Sequence, residues 1–155
     1  MGKRVLITGM SGTGKSTAIE RLGVLGYKAV DTDHPDWYAL DDAGERIWRE
    51  AKISALLDNT PADSALFVSG TFINQGKFYP KFDHVVLFSA PLTVIVERLR
   101  TRTNNPFGKH PDEFAAVRAD IEMVEPLLRR SADVEIDTSV SIDVVVAQLV
   151  GLLEV

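Results

Sequence analysis

The chain has 155 residues, no cysteine and a net charge of −5, with 45% hydrophobic residues. This composition predicts one globular domain over residues 1–155 and excludes disulfides and thiolate metal sites. The acidic balance argues against a nucleic-acid or anionic-membrane partner, because both bind a basic face. No apolar run approaches the ~20 residues that cross a bilayer, so we expect a cytoplasmic protein with no membrane partner.

Short apolar runs alternate with helical patterns along the chain. The pattern predicts strands over 5–8, 28–31, 65–69, 84–88 and 134–136, and helices over 16–25, 44–57, 91–102, 112–130 and 141–153. Such alternation is typical of an α/β fold with a parallel sheet covered by helices on both faces. Ligands bind such sheets beyond the carboxyl ends of the strands, so site residues are expected there.

The segment GMSGTGKST, residues 9–17, follows the first predicted strand and fits the P-loop pattern G-x-x-x-x-G-K-S/T. Its glycines let backbone N–H groups close around phosphates, and the next helix adds the positive end of its dipole. Lys15 is the catalytic candidate for the outer phosphates of ATP, and the Ser16 hydroxyl is a candidate ligand of Mg²⁺. The other nucleotide-binding candidates are the remaining loop residues, Gly9, Ser11, Gly12, Thr13, Gly14 and Thr17.

Two acids, Asp31 and Asp33, follow the second predicted strand. One carboxylate could hold the Mg²⁺ shell, and the other could take a proton from an attacking hydroxyl. On spacing alone, an Asp cap on the next helix is an equally good interpretation, which Pro35 also suits.

The fourth strand leads to a helix whose end is rich in arginine. Arg98 and Arg102 are four residues apart and share one face. Arginines stabilise the charge of a transferring phosphoryl group, which makes Arg102 a catalytic candidate, whereas a solvated helix end is the alternative interpretation. The polar segment that follows, residues 103–112, contains proline and glycine and predicts a small lid over bound nucleotide.

These motifs resemble those of small P-loop kinases, the shikimate, gluconate and adenylate kinases. Asp31-Thr32-Asp33 is similar to the D-T-D of shikimate kinases, which implies Asp31 for the Mg²⁺ shell and Asp33 for acceptor hydroxyls. GERIWRE, residues 44–50, is similar to their G-E-x-x-F-R, which implies Arg49 for an acceptor carboxylate. Gly70 stands where shikimate kinases carry three glycines, and is a further candidate for the substrate site.

The segment ERLRTR, residues 97–102, resembles the E-R-L-x-x-R of adenylate kinases. That resemblance implies Arg98 near the adenine and Arg102 on the phosphates. The family fold would be a three-layer P-loop fold with a five-stranded parallel sheet in the order 2-3-1-4-5.

Residues and resemblance together predict ATP- and Mg²⁺-dependent transfer of a phosphoryl group to the hydroxyl or phosphate of a small metabolite. The identity of this acceptor stays open, as does the choice between monomer and dimer. The alternative is an ATPase or nucleotide switch without an acceptor. Such proteins usually carry an Asp at the end of the strand beside the P-loop strand, and the third predicted strand ends in Ser69 instead.

Overall fold

A computed structural model of the protein describes residues 3–61, 63–101 and 111–154. Within these ranges the strands are β1 (Lys3–Gly9), β2 (Lys28–Asp31), β3 (Tyr38–Leu40), β4 (Arg46–Trp48), β5 (Ala65–Ser69), β6 (His84–Ser89) and β7 (Val134–Asp137). The α-helices are α1 (Lys15–Val24), α2 (Glu50–Asp58), α3 (Leu92–Thr101), α4 (Pro111–Met123), α5 (Glu125–Ser131) and α6 (Ile142–Gly151). Two short 3-10 helices cover Gln75–Lys81 and Leu152–Glu154.

The main sheet is parallel, with the strand order β2-β5-β1-β6-β7, and β3 pairs with β4 in a separate antiparallel hairpin. Counted among the main-sheet strands alone, this is the predicted order 2-3-1-4-5, so the predicted fold is confirmed. The register aligns Ile7 of β1 with Ser69 of β5, and Gly9 with Phe88 of β6. The carboxyl ends of these central strands therefore meet at one edge of the sheet.

Both faces of this sheet are buried, which explains the uninterrupted apolar runs of its strands. Side chains alternate between the two faces along each strand. Ile7 and Phe67 pack with residues of α1 and α6 on one face. Leu6 and Val68 pack on the other face with Trp48 and residues of α2. Helices thus cover both faces, as the α/β pattern predicts.

The predicted helix over residues 44–57 is wrong in its first part, because residues 38–48 form the hairpin of β3 and β4. The hairpin turn is built by Asp41, whose carboxylate accepts two backbone N–H groups, and by Gly44 at φ 80°. Trp48 at the end of β4 is only 1% exposed, and its indole stacks at 5.6 Å on the aromatic ring that follows β5. Burial against a distant strand outweighs the local helical preference of this segment.

The predicted helix over residues 112–130 is interrupted at Val124, between α4 and α5. Pro126 has no N–H to continue the helical hydrogen bonds, so the break lies beside the predicted bend. The last predicted helix begins as expected with Ser141 at its N-cap, where the side chain accepts the N–H of Val144. Across the described ranges, no helix has the length and apolar character needed to cross a membrane.

Candidate functional site

The P-loop connects β1 to α1 and turns sharply at its glycines. Gly12 and Gly14 have φ of 85° and 92°, in the left-handed region that side chains disfavour. A Cβ on Gly9 would lie 2.5 Å from the carbonyl oxygen of Phe88, so the close approach of β6 also requires a glycine there. The first N–H groups of α1 have no acceptor within their own helix, which makes this end an anion site.

Three threonine hydroxyls hold the P-loop in place. Thr71, which follows β5, donates to the carbonyl oxygen of Gly9 at 2.7 Å and accepts the N–H of Gly9 at 3.2 Å. Thr13 donates to the Met10 carbonyl at 2.7 Å inside the loop. Thr138, which follows β7, donates to the Thr13 carbonyl at 2.7 Å. Thr71 and Thr138 are not among the site candidates named from the sequence, although a hydroxyl just beyond a predicted strand is a signal that points to them.

Lys15 extends back over the loop that it follows. Its Nζ donates to the carbonyl oxygens of Gly9 at 2.6 Å and Met10 at 3.0 Å. The ammonium group therefore lies inside the loop, beside the N–H groups that open α1. A full positive charge and a helix N-terminus act on the same small volume, which suits a polyphosphate.

Ser16 and the two acids after β2 lie next to the loop. Ser16 Oγ donates to Asp31 Oδ2 at 2.8 Å, and the N–H of Asp33 donates to Asp31 Oδ1 at 3.0 Å. The alternative interpretation of an Asp cap on a following helix is wrong, because the next element is the strand β3. Asp31 thus faces α1, while Asp33 stands two residues further from the strand.

These residues fit a magnesium ion. Mg²⁺ prefers oxygen ligands at about 2.1 Å in an octahedron, so neighbouring ligands lie about 3.0 Å apart. The 2.8 Å between Ser16 Oγ and Asp31 Oδ2 is close to that spacing. Mg²⁺ usually takes only one or two carboxylates besides water and phosphate. The described part of the chain contains no cluster of three His, Cys, Asp or Glu side chains suited to a metal.

Asp33 faces the hairpin rather than α1. Its carboxylate forms an ion pair with Arg46 of β4, whose guanidinium lies 4.2 Å from the centroid of the Tyr38 ring. Arg49, the arginine expected at an acceptor, instead donates from Nε to the Pro35 carbonyl oxygen at 3.2 Å. The difference follows from the hairpin, because it places Arg46 rather than Arg49 among the residues that line the cleft.

Gly70 directly follows β5 and lies on the wall of the cleft. A Cβ there would lie 2.3 Å from Thr32 Oγ1, so the position has no space for a side chain. The Thr32 hydroxyl donates to the Ser69 carbonyl at 2.6 Å and accepts the Trp48 indole N–H at 2.8 Å. Through these two hydrogen bonds, Thr32 connects the Trp48 indole of the hairpin to the end of β5.

Arg98 of α3 closes the opposite side of the loop. Its Nη1 donates to the Gly12 carbonyl at 3.2 Å and to Thr138 Oγ1 at 3.1 Å, and Nη2 donates to the Thr138 carbonyl. Burial lowers the pKa of the Arg98 guanidinium, and the nearby Asp137 carboxylate opposes that shift. Arg102 and residues 103–110 of the predicted lid lie outside the described residues, and residues 111 and 112 open α4.

These groups share one cleft of about 880 Å³, which lies at the carboxyl edge of the sheet. Its walls are the P-loop over residues 9–17, the acids Asp31 and Asp33, the hairpin residues 44–46, residues 70–73 after β5, Arg98 and Thr101 of α3, Asp120 of α4, and residues around Thr138 and Ile142. The volume is within the range of sites that hold drug-sized ligands.

A central parallel strand that ends in a P-loop and opens on such a cleft defines a P-loop nucleotide-binding protein. Residues 5–119 match the AAA domain family, and the chain belongs to that family. It is 32% identical over 148 residues to a nucleotide-binding protein of Erythrobacter litoralis, covering 87% of this chain and 46% of that protein. A nucleotide-binding protein of Halalkalibacterium halodurans is 28% identical over 141 residues, with 87% and 47% covered. The chain therefore spans about half the length of these curated relatives.

Kinases also appear among the similar proteins. A shikimate kinase of Halorhodospira halophila is 26% identical over 151 residues, which cover 88% of this chain and 84% of that protein. The solved shikimate kinase of Bacteroides thetaiotaomicron has a TM-score of 0.68 at 19% identity, with 99% of each chain covered. A gluconokinase of Sinorhizobium meliloti has a TM-score of 0.59 at 18% identity, with 98% of this chain and 94% of that chain covered. At such identities the structural likeness shows the fold, and it agrees with the resemblance found in the sequence.

Proposed function

We propose that this protein transfers the γ-phosphoryl group of ATP, with Mg²⁺, to a hydroxyl group of a small metabolite. The observation that carries this proposal is that two neighbouring acids contact different parts of the cleft. Asp31 accepts the Ser16 hydroxyl at the start of α1, and Asp33 pairs with Arg46 of the hairpin. A second subsite next to the phosphate site is what transfer to an acceptor requires, whereas hydrolysis needs only water.

The nucleotide half of the site uses the P-loop. N–H groups of residues 12–16 would bind the phosphates, and the Lys15 ammonium would exchange carbonyl oxygens for phosphate oxygens. Ser16 and Asp31 would hold the Mg²⁺ shell, and the metal would supply charge neutralisation on the phosphates. Arg98 would stand beside the nucleoside, next to Thr138. The names of the relatives, nucleotide-binding proteins, support this half of the proposal.

The acceptor half lies between Asp33, the hairpin and Gly70. Asp33 would orient an acceptor hydroxyl and accept its proton as the new oxygen–phosphorus bond forms. Arg46 offers a planar cation that can bind a carboxylate or phosphate of the acceptor in a bidentate way. We therefore propose a hydroxylated acid or a phosphorylated hydroxyl compound as the acceptor class. The kinase names of the relative and of the solved structures support a small-molecule acceptor.

The test is ADP release in the presence of ATP, Mg²⁺ and a panel of single acceptors. The panel contains hydroxylated acids, sugars, sugar acids, nucleosides and nucleoside monophosphates. We expect one chemical class to stimulate ADP release well above the level with water alone. Lys15→Ala protein, purified in the same way, is the control for contaminating kinases and should show no stimulation. Equal ADP release with and without every acceptor would instead favour an ATPase or nucleotide switch.

A further inference from the structure

Ser69 carries a buried hydroxyl that the described residues leave without a hydrogen-bond partner. The residue is 1% exposed and ends β5, the strand beside the P-loop strand. Its backbone carbonyl is fully used, because it accepts both the N–H and the hydroxyl of Thr32. Buried polar atoms are nearly always paired, so an unpaired Oγ at this position calls for a functional explanation.

The strand pattern fixes the side on which this hydroxyl lies. Alternate residues of a strand face the same way, and Phe67, two residues earlier, packs in the core beneath α1. Ser69 therefore points toward the α1 face. In the register of the sheet it stands beside Asp31 of β2. Asp31 faces α1 too, since its carboxylate accepts the Ser16 hydroxyl at 2.8 Å.

Ser69 and Asp31 are thus register neighbours on the α1 side of the sheet, and Asp31 reaches Ser16 at the start of α1. All three side chains offer oxygen atoms. The distance between Ser16 Oγ and Asp31 Oδ2 already fits two ligands of one magnesium ion. A Mg²⁺ ion held by Ser16 and Asp31 keeps several bound waters, which are strong hydrogen-bond donors and need acceptors behind them. Ser69 pairs in register with Asp31, and neighbouring strands lie about 4.8 Å apart, so a water bound to the same cation as the Asp31 carboxylate would lie within reach of the Ser69 side chain.

We propose that Ser69 Oγ accepts a hydrogen bond from a water of the magnesium shell and so positions the metal of the bound nucleotide. This inference rests on the proposed function. Ser69 occupies the strand end where switch and motor proteins usually carry an Asp. A hydroxyl there can orient the water without adding a second negative charge beside Asp31, which itself occupies the adjacent register position.

A matched pair of variants tests this role. Ser89 ends β6 on the other side of the P-loop strand and is also buried, but its Oγ donates to Glu135 Oε2 at 2.8 Å. Ser69→Ala removes a hydroxyl with no bond to lose, so its melting temperature should equal or exceed that of the wild type. Ser89→Ala breaks a hydrogen bond and should melt at a lower temperature.

The metal readout uses calorimetric titration of MgCl₂ into protein saturated with a non-hydrolysable ATP analogue. For Ser69→Ala we expect a Mg²⁺ affinity about tenfold weaker than that of the wild type. The affinity for the analogue without metal should not change, and Ser89→Ala should bind Mg²⁺ like the wild type. Unchanged Mg²⁺ affinity in Ser69→Ala would overturn the proposal, and so would an equal loss of analogue affinity without metal. If the wild type bound neither analogue nor Mg²⁺, the proposed function would fail together with this inference.

Discussion

Replacing Gly70 by alanine tests how the cleft wall is built. The new Cβ would lie 2.3 Å from Thr32 Oγ1 and 3.0 Å from Cε2 of Phe72, and a Cβ contact below 3.0 Å is essentially never found. The Thr32 side chain cannot move away without losing hydrogen bonds, because its hydroxyl donates to the Ser69 carbonyl at 2.6 Å and accepts the Trp48 indole N–H at 2.8 Å. Alanine must therefore displace this hydroxyl.

The size of the effect follows from the burial of these groups. Thr32 is 0% exposed and Trp48 is 1% exposed, so water cannot replace the lost hydrogen bonds. Two buried hydrogen bonds contribute about 1 kcal/mol each, and an indole N–H left without an acceptor costs about 1–3 kcal/mol. Allowing for partial relaxation, we expect Gly70→Ala to lower the free energy of unfolding by about 3 kcal/mol.

Urea unfolding followed by tryptophan fluorescence measures this change directly. Gly23→Ala is the matched control, because Gly23 lies within α1 and a Cβ there would meet nothing within 4 Å. That control should gain about 0.5–1 kcal/mol from the better helix propensity of alanine. If Gly70→Ala unfolded within about 0.5 kcal/mol of the wild type, the tight packing of Gly70 against Thr32 would be refuted.

Three further outcomes are expected. Lys15→Ala should lower kcat by ~10²–10³ while leaving the urea midpoint unchanged, since the charge acts on the transferring phosphoryl group; unaltered turnover would contradict the P-loop assignment. Arg46→Gln should raise the acceptor KM about tenfold in steady-state kinetics, because it removes the cation that binds the acceptor, whereas Arg49→Gln should leave this KM unchanged. Equal effects of the two substitutions would contradict the proposal that the hairpin supplies the acceptor-binding arginine. Hydrogen bonds from Arg129 lower the pKa of Glu135 from its ordinary value of 4.5. Glu135→Gln should therefore be less stable than the wild type at pH 7. The difference should shrink as the pH falls below 4.5 and vanish below the lowered pKa that Glu135 has in the folded protein; equal urea midpoints at pH 7 would contradict the pair.

Features set by local sequence could be predicted from the chain alone. The predicted bounds of the strands over 28–31 and 65–69 are those of β2 and β5. Buried parallel strands appear as apolar runs, and the helices between them have their own periodicity, so the α/β alternation is visible in one sequence. The P-loop depends on the fixed spacing of nine consecutive residues, 9–17, and needs no knowledge of distant contacts.

Features set by distant contacts could not be predicted. The hairpin of residues 38–48 depends on the Trp48 indole, which binds Thr32 and packs beside β5, and such burial overrides a local helical pattern. Thr71 and Thr138 reach the P-loop across 62 and 125 residues of chain. The resemblance implies Arg49 at the acceptor, whereas the hairpin, which the local pattern does not predict, places Arg46 on the cleft instead.

The most direct test of the acceptor subsite is the Asp33→Asn variant, measured by ADP release with and without the best acceptor and by calorimetric ATP binding. The substitution keeps the size of the side chain but removes the charge that orients a hydroxyl and takes its proton. We predict that ATP affinity stays near that of the wild type and that acceptor-dependent ADP release falls by ~10²–10⁴. A variant that binds ATP much more weakly yet keeps its acceptor dependence would contradict the assigned roles of Asp31 and Asp33. A wild type that releases ADP at one rate with every acceptor and with none would contradict phosphoryl transfer itself.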